Sequence, residues 1–377
     1  MNRINDKARV LVVGPLPPPV GGVETFTAAL LESNALGMFT REHCDLSKKR
    51  AKYMQGKFDL GNFIWALIHF SRMFARLITF RPNIVYMPLT ASWSGFLRDG
   101  VLAVMAKLSG ARVLGHVHGG WFDRILALKG WRSIIVRTVL SRFDVLLMLG
   151  SMWRDLVASY GYSGDIRIVP PMYRISIRDA AASFVRTYTE KEPTGLFVGH
   201  VGPGKGVVDL LHAASVLRSR GVDIRVTIVG PAQFEGDWEK VCEARTRLGL
   251  DQYIEMTGPL EGDALYEKFK AASYLLLPSH FEGLPIVLFE AGLFGLPVIT
   301  TPVGAIKDLI AHDKNGLLVS PGNVAEIADA IERLQRDSIL KEQLGRQLRK
   351  DVERYDPKVV CGMIATVISE VLERPRV

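Results

Sequence analysis

RVLVVGPLPPPVGGVETFTAALL (residues 9–31) and TGLFVGHVGPGKGVVDLLHAASVL (residues 194–217) repeat one plan: a short apolar run, a Gly/Pro-rich loop and a stretch of helical period. Each opens a doubly wound α/β unit. Outward from them, further short apolar runs alternate with helical stretches: NIVYMP, ARVLGHV, DVLLML and IRIVP in the first half, IRVTIVG, YIEMTG, YLLLPS and PVITTP in the second. Such alternation predicts two parallel sheets covered by helices. Ligands of such sheets bind beyond the carboxyl ends of the strands, which predicts the two Gly-rich loops around one cleft.

The boundary is expected between Pro170 and Pro193, where turn-like VPPMYRIS precedes a polar, charged segment. This gives one unit over residues 1–175 and another over 190–356. Pro357 in RYDPKVV interrupts the helix before it, so residues 357–377 are expected to form a helix that packs back on the first unit.

With 377 residues, 48% apolar and 23% charged, the chain has the composition of a globular protein with two cores. Cys44, Cys242 and Cys361 are far apart and form no CxxC, which argues against a disulfide framework or zinc site and for a reducing cytosol. The only apolar run near the N-terminus, Val10 to Val13, is far too short for a signal peptide, and no 18-residue stretch is uncharged and apolar. Neither export nor a membrane span is expected. The net charge of +8 is uneven: residues 1–190 carry +12 and the remainder −4. A basic half predicts an anionic partner, nucleic acid or an acidic membrane surface.

Lys57 to Phe80, KFDLGNFIWALIHFSRMFARLITF, follows the basic run KKRAKY and places Trp65, His69, Arg72 and Arg76 on one helical face. Two readings stand: a membrane-surface helix with arginines at anionic headgroups, or a core helix with a basic outer face. RILALKGWRSIIVRTVLSRF adds Arg124, Lys129, Arg132, Arg137 and Arg142, and two such segments favour a membrane-facing first unit.

In SHFEGLPIVLFEAG (residues 279–292), Glu282 and Glu290 straddle a strand-to-helix turn. Gly283 permits a tight turn and Pro285 suits the first helical position. Glu282 then lies beside free backbone N–H groups, where an anion or a phosphate is favoured. Glu290 lies deeper among apolar neighbours, and a buried carboxylate needs a partner such as ligand hydroxyls.

GHVGPGK (residues 199–205) completes G-x-x-x-x-G-K, but the next residue is Gly206 rather than the Ser or Thr that holds Mg²⁺ in a P-loop. A Gly-rich turn with Lys205 ahead of a helix still suits a diphosphate. VGPLPPPVGG contains no G-x-G-x-x-G, so it does not predict nicotinamide or flavin, while Gly21 and Gly22 allow close backbone approach. In GHVHGGWF, strand alternation would point His116 and His118 apart, which disfavours joint metal binding and leaves His118 as the site candidate. The chain has no D-x-D, so no paired acids for a metal are expected.

Together these residues resemble the family 4 retaining glycosyltransferases of the GT-B fold, over nearly the whole chain. The resemblance is carried by PSHFEGLPIVLFEAGLFGLPVITTPVGAIKDLI, with its E-x7-E pair, by NGLLVSPGNVAEIADAI and by VGHVGPGKGVVDLL. It implies two Rossmann-like domains facing across a cleft, with the C-terminal helix crossing back to the first. It also implies that Glu290 binds ribose hydroxyls, Glu282 faces the donor sugar, Lys205 neutralises the diphosphate, Gly22 approaches donor phosphate or acceptor, and His118 contacts the transferring sugar. His200, Gly283, Leu284 and Pro285 complete the donor set. Where the family has Arg, this chain has His200, which lacks the bidentate fork and a permanent charge. PPMY at residues 170–173 replaces the usual Asn-Gly.

The activity so implied is transfer of a sugar from a UDP- or GDP-sugar to a hydroxyl with retention. No metal or other cofactor is expected. The basic first unit points to a lipid-linked glycan acceptor in bacterial surface-polysaccharide synthesis, at the cytoplasmic face of the membrane, and no nucleic-acid module is present. A catalytically silent glycan-binding scaffold of the same fold, or a P-loop ATPase, are the alternatives.

Overall fold

The computed structural model describes residues 7–18, 21–47, 60–188 and 193–375. They divide into two units, one of Met1–Met172 with Asp356–Val377 and one of Tyr173–Tyr355. The basic run at residues 48–53 lies outside the described residues.

The first unit is built on β1 (Arg9–Gly14), β2 (Thr40–Asp45), β3 (Ile84–Leu89), β4 (Arg112–Val117), β5 (Val145–Met148) and β6 (Asp165–Ile168). They form a parallel sheet in the order β2-β1-β3-β4-β5-β6. β1 after its first residue, β3 and β5 are buried throughout, as strands covered on both faces must be. β2, TREHCD, is an edge strand with only Cys44 buried, and its sequence carries no apolar run that would announce it.

The Pro357–Glu373 helix starts on an Asp356 cap, whose side chain accepts from the Lys358 amide, with Pro357 at its first position. Its Val360, Cys361, Ile364, Ile368 and Val371 enter one cluster with Val10, Val12, Phe26 and Leu30. Fully burying a side chain of this size is worth about 1.5–3 kcal/mol, so the end of the chain is part of the first unit's core.

The second unit repeats the plan with β7 (Thr194–Val198), β8 (Arg225–Val229), β9 (Ile254–Gly258), β10 (Tyr274–Leu277), β11 (Val298–Thr300) and β12 (Leu317–Leu318). Its parallel order is β12-β11-β10-β7-β8-β9. Successive strands run outward from β7 on one side and from β10 on the other, so the connection reverses between them. Ile175–Ala182 is a helix of this unit, where the sequence suggested only a polar connection.

The Leu60–Phe80 helix corrects the reading of its faces. His69, Met73 and Leu77 are buried, Arg76 pairs with Glu42 of β2 at 2.7 Å, and Arg72 donates to the Asp45 carbonyl. Of the Trp65–His69–Arg72–Arg76 face only His69 is buried; Arg72 and Arg76 stay exposed at its margin, where β2 offers them a carbonyl and an acid. An apolar stripe also faces outward: Phe63, Leu67, Phe74 and Ile78 are all about half exposed or more. By length and composition Phe63–Phe80 could cross a membrane, at mean hydropathy 1.3, with 22% of it buried in the fold.

Candidate active site

The β7/β10 reversal in the second unit is where a doubly wound sheet opens a crevice beyond its strand ends. Two loops meet there. After β7 the chain turns through residues 199–206, and after β10 through residues 278–285. Gly206 fits because it adopts φ +69° and because a Cβ there would lie 1.9 Å from the Pro278 carbonyl oxygen. The first loop thus rests directly on the end of β10. The His280 amide donates to the Gly204 carbonyl, and the His280 ring lies 2.6 Å from an Asp209 carboxylate oxygen in the first turn of the Val207–Ser219 helix.

This seating brings Lys205 and Glu282 together. Lys205 Nζ donates to Glu282 Oε1 at 2.7 Å, and Ser279 Oγ donates to the same oxygen at 2.8 Å. The Glu282 side chain is 8% exposed and that of Lys205 21%. The sequence placed Glu282 beside free helix amides, whereas its observed partners are the lysine and the serine. Behind it the Ala305 amide donates to the Gly283 carbonyl, and a Cβ at Gly304 would meet the Glu282 carbonyl oxygen at 2.2 Å. Gly283 and Leu284 are buried, and Pro285 is the capping residue before the Ile286–Leu293 helix rather than its first residue.

Glu290 is buried on that helix, and its partner is supplied by the protein. Arg174, which caps the Ile175–Ala182 helix, reaches Oε1 with Nε at 2.9 Å and Nη2 at 2.8 Å. Both contacts fall on one oxygen. Burial raises the Glu290 carboxyl above its usual range while Arg174 opposes the rise. Nothing local in the sequence connects these residues, since the pair spans 116 positions. His200 follows β7, with the flanking Gly199 and Val201 amides bonded to the Val229 and Pro231 carbonyls.

In the first unit, His118 lines a cavity of about 310 Å³ beyond the ends of β1, β3 and β4. Glu24, Ser47, Thr90, Ser92 and Arg98 add polar groups to it. Arg98 is held by the fully buried Asp99, whose other oxygen accepts from the Thr90 amide. Gly22 begins the Gly22–Glu32 helix, is exposed and lies outside this lining. The Glu24 carboxylate folds back over that helix start, so a Cβ at Gly21 would meet it at 2.3 Å.

The two histidines do not point apart. Their ring centroids are 4.0 Å apart, because β4 ends at Val117 and the chain turns before His118. Phe26 meets both rings edge-on. His116 is fully buried, with Nε2 3.0 Å from the Val169 carbonyl and Nδ1 2.7 Å from the Tyr86 hydroxyl. The carbonyl assigns the proton to Nε2, so Nδ1 accepts from Tyr86. Burial pulls His116 down to about 3, and burial together with His116 holds the half-buried His118 below its usual range. Both imidazoles are neutral at pH 7.

Residues 180–351 match the family described as glycosyl transferases group 1, a span that contains both loops. The α-D-kanosaminyltransferase of Streptomyces kanamyceticus is 32% identical over 155 residues, which is 41% of this chain and 39% of that protein. A GDP-mannose-dependent α-(1-6)-phosphatidylinositol monomannoside mannosyltransferase of Mycobacterium tuberculosis is 28% identical over 256 residues, 63% of this chain and 64% of that protein. The chain thus spans between 39% and 64% of the length of these curated relatives. Anabaena HepE, solved in complex with UDP, superposes with a TM-score of 0.72 at 16% identity, covering 96% of this chain and all of that one. The fold is GT-B, with two Rossmann-like domains, and the second holds the residues that match the group 1 glycosyl transferases.

Proposed function

We propose that the chain is a retaining, metal-independent glycosyltransferase that moves a sugar from a nucleotide diphosphate donor to a hydroxyl of a lipid-linked glycan. The observation that carries this reading is the meeting of Lys205 and Glu282 on one carboxylate oxygen at the sheet's switch point. In the reaction the acceptor oxygen bonds to the anomeric carbon, the carbon–phosphate oxygen bond breaks, and the hydroxyl proton leaves with the diphosphate. Attack on the face that the phosphate leaves retains configuration and requires no protein nucleophile.

Lys205 neutralises the charge that grows on the departing diphosphate, the largest electrostatic demand of the step. Glu282, freed as Lys205 turns to phosphate, accepts hydroxyls of the donor sugar, and Ser279 keeps its rotamer fixed. Glu290 accepts ribose hydroxyls through the oxygen that Arg174 leaves open. His118, as a neutral imidazole, meets the transferring sugar as a hydrogen-bonding group. His200, without a fixed charge, leaves more of the phosphate neutralisation to Lys205.

Metal independence is supported by the missing D-x-D motif and by the lack, among the described residues, of any group of three His, Cys, Asp or Glu side chains. A lipid-linked acceptor, and peripheral placement at the cytoplasmic face of a bacterial membrane, are supported by the basic first half and the outward apolar stripe of the Leu60–Phe80 helix. The named phosphatidylinositol mannoside activity of one relative is of the same kind.

Calorimetry without added metal tests the reading, with UDP, GDP and ADP as ligands. One diphosphate binds, and Lys205→Ala weakens it at least about tenfold, ~1.4 kcal/mol. Binding of none of the three, or equal binding by wild type and variant, overturns the assignment.

A further inference from the structure

A second cavity of about 310 Å³ lies in the first unit at the edge of the sheet opposite its strand ends, between the turn into β5 and the turn into β6. At roughly 3.3 Å per strand residue, β5 and β6 set it more than about 10 Å from the His118 cavity. Its walls are Arg137 and Ser141 from the Trp131–Leu140 helix and the turn after it, with Phe143, Tyr160, Tyr162 and the glycines of residues 161–164.

Arg137 carries the argument. It is exposed on its helix, and its guanidinium carbon stands 4.7 Å from the Tyr160 ring centre, within cation–π range. No described acid pairs with it. Asp144 and Asp165, the acids acting on Tyr162, are taken by Lys107 and by Arg167 with Arg374. The two phenols are also committed, since Tyr162 donates to the Phe143 carbonyl and Tyr160 bonds Ser133. The cavity therefore presents a cation and a rigid aromatic wall without a compensating anion.

The turn is shaped to leave space beside that cation. Gly161 has φ +92°, and a Cβ there would stand 3.2 Å from Arg137 Nη1, while a Cβ at Gly164 would meet the Tyr162 hydroxyl at 2.2 Å. The amides of Ser163 and Gly164 have no backbone acceptor among the described residues. A guanidinium fork beside amides without a backbone acceptor is the chemistry that recognises phosphate oxygens. The same helix exposes Trp131 and Ile134 at 62% and 66%, at i and i+3, on the side that carries Arg137.

We propose that this cavity binds a phosphate group, as a monoester or diester, with Arg137 as its ligand and Tyr160 as the wall that orients the guanidinium. The flanking Trp131 and Ile134 suit a phospholipid headgroup, and soluble phosphate esters share the chemistry. The proposal is independent of the transfer reaction, and circular dichroism with thermal melting reports that each variant's first unit is folded.

The test compares Arg137→Gln with Arg142→Gln, an exposed arginine beside the cavity but outside its lining. The probes are sn-glycerol 3-phosphate, followed by NMR titration, and vesicles of phosphatidylcholine with or without phosphatidic acid, followed by sedimentation. Arg137→Gln weakens one or both phosphate probes about tenfold while Arg142→Gln retains them, a difference of ~1.4 kcal/mol. Selective loss of vesicle binding names a lipid headgroup, and selective loss of glycerol phosphate binding names a soluble ester. Equal behaviour of the two variants with both probes overturns the proposal, because a diffuse basic surface then explains any attraction.

Discussion

Replacing Arg174 by Met removes the only charged partner, among the described residues, of a buried carboxylate while keeping much of the side chain's volume. Breaking a fully buried pair from one side costs about 3–5 kcal/mol, because the remaining charge has no compensation. The Arg174 side chain is 22% exposed, so water screens part of this, and ~2–3 kcal/mol is the expected loss at neutral pH. For a unit of this size that lowers its melting temperature by roughly 5–10 °C. The sign with pH follows from Glu290, whose folded carboxyl lies above its ordinary value through burial. A raised acid binds more protons folded than unfolded, so its contribution declines as pH rises past the unfolded range near ~4.3. Without the guanidinium the carboxyl rises further, and the loss is larger at about pH 8 than at about pH 5. Glu290→Gln in the same chain relieves most of the loss, with coupling of about 1 kcal/mol or more. Thermal and urea melts of the four proteins at the two pH values measure this. The same loss at both, or no relief in the double variant, refutes the reasoning.

Gly206→Ala places a Cβ 1.9 Å from the Pro278 oxygen at φ +69°, so the variant loses well over ~2 kcal/mol or fails to fold, as circular dichroism and expression yield will report. His116 is held at about 3 in the fold, so its stabilisation is complete above the unfolded value near ~6.5 and is lost as pH falls towards 3, by up to ~1.4 kcal/mol per unit. Melting of the first unit between those values checks it, and His116→Gln lessens that slope, leaving the share of His118. Tyr86→Phe strands the His116 Nδ1 acceptor and costs about 1–3 kcal/mol in urea unfolding, with the unfolding slope unchanged. Leu67→Lys with Phe74→Lys on the outward stripe leaves the melting temperature within a few degrees but lowers sedimentation with anionic vesicles, and unchanged sedimentation argues against that face.

Much of the fold was legible because parallel strands buried on both faces must be written as apolar runs, and Val10–Val13, residues 84–89 and residues 274–277 are. β2 escaped for the complementary reason. As an edge strand it keeps Arg41, Glu42 and His43 partly exposed, and those residues read as loop. The positions of Lys205 and Glu282 at loop ends were also readable, from glycine spacing and from Pro285. Their ion pair was not, since it depends on Gly206 seating one loop on Pro278. Arg174 with Glu290, Asp209 with His280 and Tyr86 with His116 join residues 30 to 116 positions apart, and no local pattern encodes such pairs. The contacts of the Leu60–Phe80 helix were not readable, because Arg76 pairs with Glu42 and Arg72 bonds the Asp45 carbonyl of β2, the strand that the sequence concealed.

The Pro357–Glu373 helix has a consequence for how the protein is made. Val360, Ile364 and Ile368 are packed among Val10, Val12 and Phe26, so the first unit is missing a wall until the Pro357–Glu373 helix has been synthesised. The Tyr173–Tyr355 unit is contiguous and has no such dependence. During translation the domain encoded second is therefore complete first, and the domain encoded first waits on the ribosome with its core open, the interval in which it most needs a chaperone.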